Sequence, residues 1–230
     1  MSYDAEVMDW QRALKTAGYD LVVDGDFGPK TLAASLNSLG TVPPTVPTEP
    51  SGDLDEIPGA WLPPSSKMRR IIAHWTAGSY AVSATDREHY HFIWAGDGKV
   101  ELGDHVVTDN EGTLDGDYAA HTKRCNTGSI GVSMACMAGA RESPFYAGDY
   151  EMTRDQWNGM VRGIAQLCLF YDIPLDRMTV LSHAEVEGTL GIDQAGKWDF
   201  TRIPFMPELI GAKACGDHLR ECVGDVMDSL

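Results

Sequence analysis

Apolar residues recur along this chain at two different spacings, and the change of spacing marks its elements. Trp157, Met160, Val161, Ile164, Leu167, Cys168 and Tyr171 fall on one helical stripe. Thr153 stands where an N-cap is needed, Gln156 follows three residues on to complete a capping box, and Pro174 lies just past the end. Arg70 to Trp75 reads as a buried strand that ends at His74. Tyr90 to Trp94 alternates, and Asp97-Gly98 then gives a tight-turn signal before a strand from Lys99 to Leu102. Ser129 to Ala135 and Met178 to Ser182 are further strand candidates, the second delivering His183 at its end. Leu219, Cys222, Val223, Val226, Met227 and Leu230 return to helical spacing and predict a terminal helix packed on the domain. Strands interleaved with long helices predict an α/β class: a mixed central sheet flanked by helices.

The first part of the chain has another character. Val7, Trp10, Leu14 and Ala17 have helical spacing, Asp24-Gly25-Asp26-Phe27-Gly28-Pro29 is turn chemistry, and Thr31 to Leu39 predicts a second helix ended by Gly40. An EF-hand would need an acidic or amide residue at Gly28 and a Glu at Ser35, so the Asp24/Asp26 pair is not a calcium loop. Pro43-Pro44, Pro47 and Pro50 crowd the stretch from Thr41 to Pro50, and a pair, Pro63-Pro64, precedes the first strong strand. This composition predicts an extended spacer. The expected organisation is a small all-α module at 1–40, a proline-rich linker at 41–66, and a larger domain at 67–230.

Charge and cysteine content narrow the partners. The net charge of -16 argues against a nucleic-acid partner, which would call for a basic face, and against binding to anionic membrane surfaces. No apolar run reaches the roughly 18 residues a membrane span needs, and the acidic start Met1-Ser2-Tyr3-Asp4-Ala5-Glu6 does not read as a secretory signal. Five cysteines (125, 136, 168, 215 and 222) are an odd number without a CxxC pair, and are expected as reduced thiols in a protein made in the cytoplasm. On one helix Cys215 and Cys222 would stand about 10 Å apart along the axis, too far for a disulfide.

Candidate chemistry lies at His74, His183 and Lys197-Trp198-Asp199. Two imidazoles and a carboxylate suit a catalytic zinc, leaving a fourth position open to water. In an extended segment Lys197 would share a face with Asp199 and place a cation beside that water. Taken singly, a histidine on an apolar strand is more often a hydrogen-bonded core residue than a ligand. Conjunction favours ligation: each histidine ends a strand with loop residues expected after it, and a Lys-x-Asp follows at the distance of a rim loop. His91 alternates to the face opposite Tyr90 and is expected to be structural, and His89 to be exposed.

Two resemblances sharpen this picture. Gln11-Arg12-Ala13-Leu14, Gly18-Tyr19 and Val23 to Thr31 resemble the small peptidoglycan-binding domain of cell-wall hydrolases, although Leu36-Asn37 stands where that family usually has an aromatic-Gln pair. Residues 67 to 205 resemble the zinc-dependent N-acetylmuramoyl-L-alanine amidases, which include amidase-type phage lysozymes, muropeptide amidases and peptidoglycan-recognition proteins. The residues that carry this are Ile72-Ala73-His74-Trp75-Thr76, Tyr90-His91-Phe92-Ile93, Gly98-Lys99-Val100, Ala119-Ala120-His121, Asn126 to Val132, Leu181-Ser182-His183 and Lys197-Trp198-Asp199, in the family order. The resemblance implies a zinc ion (Zn2+) held by His74, His183 and Asp199, with Lys197 and Tyr90 as catalytic residues and His121 lining the substrate groove. Muropeptide amidases place a Glu on the strand matching Ser129 to Ala135. Here Ser133 and Ala135 stand there, so the chain follows the tyrosine subtype.

The expected function is therefore that of an endolysin. It would act as a monomer on bacterial peptidoglycan, cleaving the amide between N-acetylmuramic acid and L-alanine. It would be made in the host cytoplasm and reach the wall after holin-dependent release. A bacterial wall-turnover or muropeptide-recycling amidase is the alternative. A non-catalytic recognition protein is disfavoured because all three candidate ligands are present.

Overall fold

The computed structural model describes residues 11–15, 18–19 and 56–230. The chain divides into two compact units, Met1–Pro50 and Ser51–Leu230. In the first, residues 11–15 are helical, with Leu14 buried against Tyr19. Gly18, at φ 97°, turns the chain out of the helix, and its N–H donates to the Lys15 carbonyl. The expected turn at 24–29, the helix at 31–39 and the spacer at 41–55 lie outside the described residues.

The second unit is a mixed α/β fold. Its five-stranded sheet has the order β3-β2-β4-β1-β5, built from β1 (Arg70–Trp75), β2 (Phe92–Trp94), β3 (Val100–Leu102), β4 (Ser129–Met134) and β5 (Val180–Ser182). β1 runs parallel to β4 and β5, and β2 runs parallel to β4. Only β3, joined to β2 through the turn at Asp97-Gly98, is antiparallel within this sheet. The helices are α1 (Ala84–His89), α2 (Arg154–Tyr171), α3 (His183–Leu190) and α4 (Ala212–Asp228), and a two-stranded ribbon of β6 (Arg202–Ile203) and β7 (Met206–Ile210) precedes α4.

Alternation along the strands gives the sheet two unlike faces. Ile71, Ala73 and Trp75 of β1, Ile130, Val132 and Met134 of β4, and Phe92 and Trp94 of β2 enter the main core with the apolar stripes of α2 and α4. Ile72 belongs to a smaller cluster with Cys125 and Val186, covered by α3. His74, two residues beyond Ile72, shares that second face.

Helix α2 is seated by particular groups. The Thr153–Gln156 capping box forms, with both reciprocal bonds at 3.1 Å. The Gln156 side-chain amide donates to the Trp94 and Ala135 carbonyls and so ties the helix to the ends of β2 and β4. Gly159 and Gly163 admit the Trp94 ring, because a Cβ at Gly163 would lie 2.3 Å from it.

Residues 56–66 correct the expected linker boundary. Ile57 and Leu62 are buried, Gln166 exchanges two hydrogen bonds with the Ile57 backbone, and Arg162 pairs with Glu56. A short 3-10 turn at Gly59–Trp61 interrupts the extended backbone, and the apolar residues and backbone groups of the stretch dock along α2. A second correction concerns Tyr90, expected to start a strand: it caps α1, and pairing begins at Phe92. A third concerns His183, which opens helix α3 directly instead of leading into a loop. All five cysteines are free, Cys215 and Cys222 among them.

Candidate metal centre

His74 reaches the second face of the sheet at the end of β1, beside Ser133 in the parallel ladder. His183 comes from the junction of β5 and α3. Asp199 sits on the loop after α3, between two aromatic residues that pack on Trp75: Trp198 edge-on at 5.0 Å and Phe200 stacked at 5.7 Å. The Ala184 N–H also donates to the Asp199 carbonyl, tying this loop to the start of α3. Three segments distant in sequence thus meet, and the ligand atoms of His74, His183 and Asp199 all lie within 4.8 Å of one another.

Both histidines turn Nδ1 inward. Asp199 Oδ2 is 3.2 Å from His183 Nδ1 and 3.4 Å from His74 Nδ1. The outer nitrogens are engaged elsewhere: His183 Nε2 meets Gln194 Oε1 at 3.0 Å, and His74 Nε2 lies 3.3 Å from both His121 Nδ1 and Thr122 Oγ1. His74 Nδ1 is buried, and its approach to Asp199 does not make an aligned hydrogen bond. The Ser133 hydroxyl beside it is likewise buried without a partner. A buried, unsatisfied nitrogen facing a second imidazole nitrogen and a carboxylate oxygen is a donor set that fits a divalent cation such as zinc.

The local electrostatics agree. Burial, reinforced by the neighbouring His183, pushes the His74 imidazole down to about 4, so it is neutral at physiological pH and available as a ligand. Burial opposes ionisation of Asp199, but the His183 and His74 imidazoles packed against it outweigh that and hold the carboxyl well below the usual range. Tyr90 packs against His74 with the rings tilted at 47° and their centroids 5.1 Å apart. Burial, with the charges of Asp199 and Asp86 behind it, raises the Tyr90 phenol well above its ordinary value and keeps it protonated. Lys197 is exposed, lines the same cleft, and its charge contributes to depressing His74.

The cleft also exposes Arg124 and Lys123, the latter paired with Asp193 at 2.8 Å. Ala77, Arg124, Met137 and Ala195 line it with positive φ, and Phe200, next to Asp199, is at φ 67°. Such conformations cost about 1–3 kcal/mol each and persist only where surrounding packing enforces them.

The structure brings His183, Asp199, Tyr90, Lys197 and His121 to the lining of one cleft, with His74 buried behind them against Tyr90 and His183. His121 differs from expectation in its bonding. It is buried, with Nε2 3.3 Å from the Ser129 carbonyl and Nδ1 2.8 Å from Thr122 Oγ1, so both ring nitrogens are used within the protein. Gly131 makes room for its ring, since a Cβ there would lie 2.5 Å from it. Gln194, which lines the cleft and contacts His183, carried no signal in the sequence pattern.

His91 is structural, as its alternation predicted. Its Nε2 contacts Asn110 Oδ1 and its Nδ1 accepts the Gly131 N–H. Burial pushes this imidazole from 6.5 down to about 4. Between those values the unfolded chain binds a proton that the folded chain refuses, so the contribution to stability is full above pH 6.5 and is lost as pH falls toward 4. A displacement of that size corresponds to about 3 kcal/mol. Denaturant unfolding at pH 7 and pH 4.5 should show His91→Asn with a shallower decline than the parent; an unchanged decline would contradict this origin.

Among solved structures, the chain is similar to the endolysine N-acetylmuramoyl-L-alanine amidase LysCS from Clostridium intestinale URNW, at 15% identity over 58% of this chain and 91% of that chain, with a TM-score of 0.34. LysC, an N-acetylmuramoyl-L-alanine amidase from the same organism, gives 15% identity over 58% and 93% of the two chains, with a TM-score of 0.34. PlyL gives 17% identity over 73% and 92%, with a TM-score of 0.38. No curated protein matches the chain. The family profile described as N-acetylmuramoyl-L-alanine amidase matches residues 64–199, a span that contains all six expected site residues. On that match, the chain belongs to the N-acetylmuramoyl-L-alanine amidase family.

Proposed function

We propose that this family member is a zinc-dependent peptidoglycan hydrolase of the endolysin type, cleaving the amide between N-acetylmuramic acid and L-alanine. The observation that carries the reading is the inward-facing set of His74 Nδ1, His183 Nδ1 and an Asp199 oxygen, buried beside an exposed lysine. These three residues would hold the metal. When bound there, zinc supplies Lewis acidity that activates water for attack on an amide carbonyl.

The protein's own groups do the rest. Lys197 presents an ammonium to the negative charge that develops on the substrate carbonyl oxygen. Tyr90, kept protonated by burial, donates a hydrogen bond at the reacting centre and can pass a proton to the departing amine nitrogen. Arg124 favours the carboxylates of peptide stems along the cleft. His121, expected to bind substrate, offers the groove a ring edge instead of a free nitrogen. Residues 1–40, by their resemblance to wall-binding modules, would tether the enzyme to the polymer.

Incubation with purified peptidoglycan should release new L-alanine amino termini. New reducing ends without them would point to a glycosidase and sink the assignment. A paired measurement separates Lys197 from Asp199. Asp199→Ala should lose metal and activity together. Lys197→Ala should keep its metal while kcat falls, since losing one oxyanion donor costs about 3 kcal/mol, or roughly 100-fold or more. Loss of zinc in Lys197→Ala, or a near-normal kcat, would remove the role given to this lysine.

A further inference from the structure

We infer that Gln194 is a positioning residue for His183, the hydrogen-bond acceptor that fixes which nitrogen of that ring carries the proton. This rests on the reading of His183 as a metal ligand. Gln194 is buried on the loop between α3 and Asp199, and its backbone N–H is anchored on Glu187 Oε2 at 3.0 Å. Its side-chain amide has no choice of orientation. Nε2 lies 3.0 Å from the Lys123 carbonyl and 3.1 Å from the Ile192 carbonyl, and both are acceptors only. The NH2 group must therefore face those carbonyls, and Oε1 must face His183 Nε2, 3.0 Å away.

An amide oxygen only accepts, so His183 Nε2 carries the hydrogen. That leaves Nδ1, turned toward His74 and 3.2 Å from Asp199 Oδ2, as the nitrogen that would ligate a cation. A ligating histidine is commonly held this way through its second nitrogen. On the other imidazole His121 supplies the matching contact: its Nε2 faces the Ser129 carbonyl, which leaves Nδ1 to accept from His74 Nε2. Both hydrogens of the Gln194 amide are spent on backbone carbonyls. That distinguishes a positioning role from substrate binding, although the residue lines the cleft. It also couples three segments, the Lys123 loop, Ile192 and His183, through one side chain.

The test uses Gln194→Leu, which keeps the bulk and removes the acceptor, and Gln194→Glu, which keeps an acceptor for His183 while giving up the two donors to the Lys123 and Ile192 carbonyls. Zinc affinity is measured by competition with a chromophoric chelator. Long-range 1H–15N correlation on histidine-labelled, metal-free protein at pH 8 reads the tautomer of His183. Gln194→Leu should bind zinc about 10- to 100-fold more weakly and lose the Nε2–H preference. Gln194→Glu should retain the Nε2–H form. Wild-type zinc affinity in Gln194→Leu, or an Nδ1–H tautomer in the parent protein, would overturn the assignment. Should Gln194→Leu fail to fold, the tautomers of the parent and of Gln194→Glu decide. A parent protein that binds no zinc would overturn the metal reading, and its His183 tautomer would then judge the Gln194 contact by itself.

Discussion

His74→Ala is expected to abolish both zinc binding and amide hydrolysis. His74 supplies one of only three protein ligand atoms in the proposed site, and the other two cannot enclose a cation. Its ring also fills the space between His121, His183 and Tyr90, at centroid distances of 5.4, 4.6 and 5.1 Å. Alanine therefore removes a ligand and unsupports the neighbours that position the second imidazole and the phenol. The fall in activity should exceed the roughly 100-fold that loss of a single electrostatic stabiliser costs. Elemental analysis after dialysis, alongside release of L-alanine amino termini, measures both effects. Near-stoichiometric zinc retained in the variant would exclude His74 from the ligand set.

The parts legible in the sequence were those whose signal is periodic or local. β1, β4 and α2 each carry an apolar pattern long enough to set both element and face, and the Thr153–Gln156 box marked the start of α2. The short elements had no such pattern. Helix α3 has eight residues and buries only His183, Glu185 and Val186, so no stripe betrays it. Helix α1 has six residues and is set by the Ser83–Asp86 capping box, which its weak apolar content concealed. The ribbon of β6 and β7 is similarly brief.

Within the site, candidate ligands stood out by conjunction: two histidines at the ends of apolar strands, followed by a Lys-x-Asp at the distance of a rim loop. What surrounds them was not legible. Gln194 acts through two backbone carbonyls and one ring nitrogen drawn from three segments. Such a contact exists only after folding, and a glutamine in a loop predicts nothing by itself. The docked stretch at 56–66 was hidden for a different reason: proline content reports a segment without long helices or ladder-paired strands, and such a segment can be solvated or packed.

The C-terminal helix gives the second large effect. Arg220 lies on α4, beyond the span matched by the family profile, and is buried. Its guanidinium donates to the Val180 carbonyl at 2.8 Å and to Glu185 Oε1 at 2.8 Å, with Glu185 Oε2 at 3.1 Å. Glu185 Oε2 in turn accepts the Ser182 N–H, one residue before His183. The helix can approach so closely because Gly216 has no side chain; a Cβ there would lie 2.0 Å from the Glu185 carboxylate. Arg220 thus holds the end of β5 and the first turn of α3, the junction that presents His183. Arg220→Ala would leave a buried carboxylate without its cation, which costs about 3–5 kcal/mol. That is a large share of the roughly 5–15 kcal/mol by which a domain is stable. Replacing both partners distinguishes the charge from the packing. In Arg220→Met with Glu185→Gln, no unpaired charge remains, and the Gln oxygen can still accept the Ser182 N–H. The double variant should therefore be more stable than Arg220→Ala in denaturant unfolding, because removing both charges also removes their desolvation cost. A loss below about 1 kcal/mol for Arg220→Ala, the range of an exposed pair, would mean that this contact does not clamp the junction.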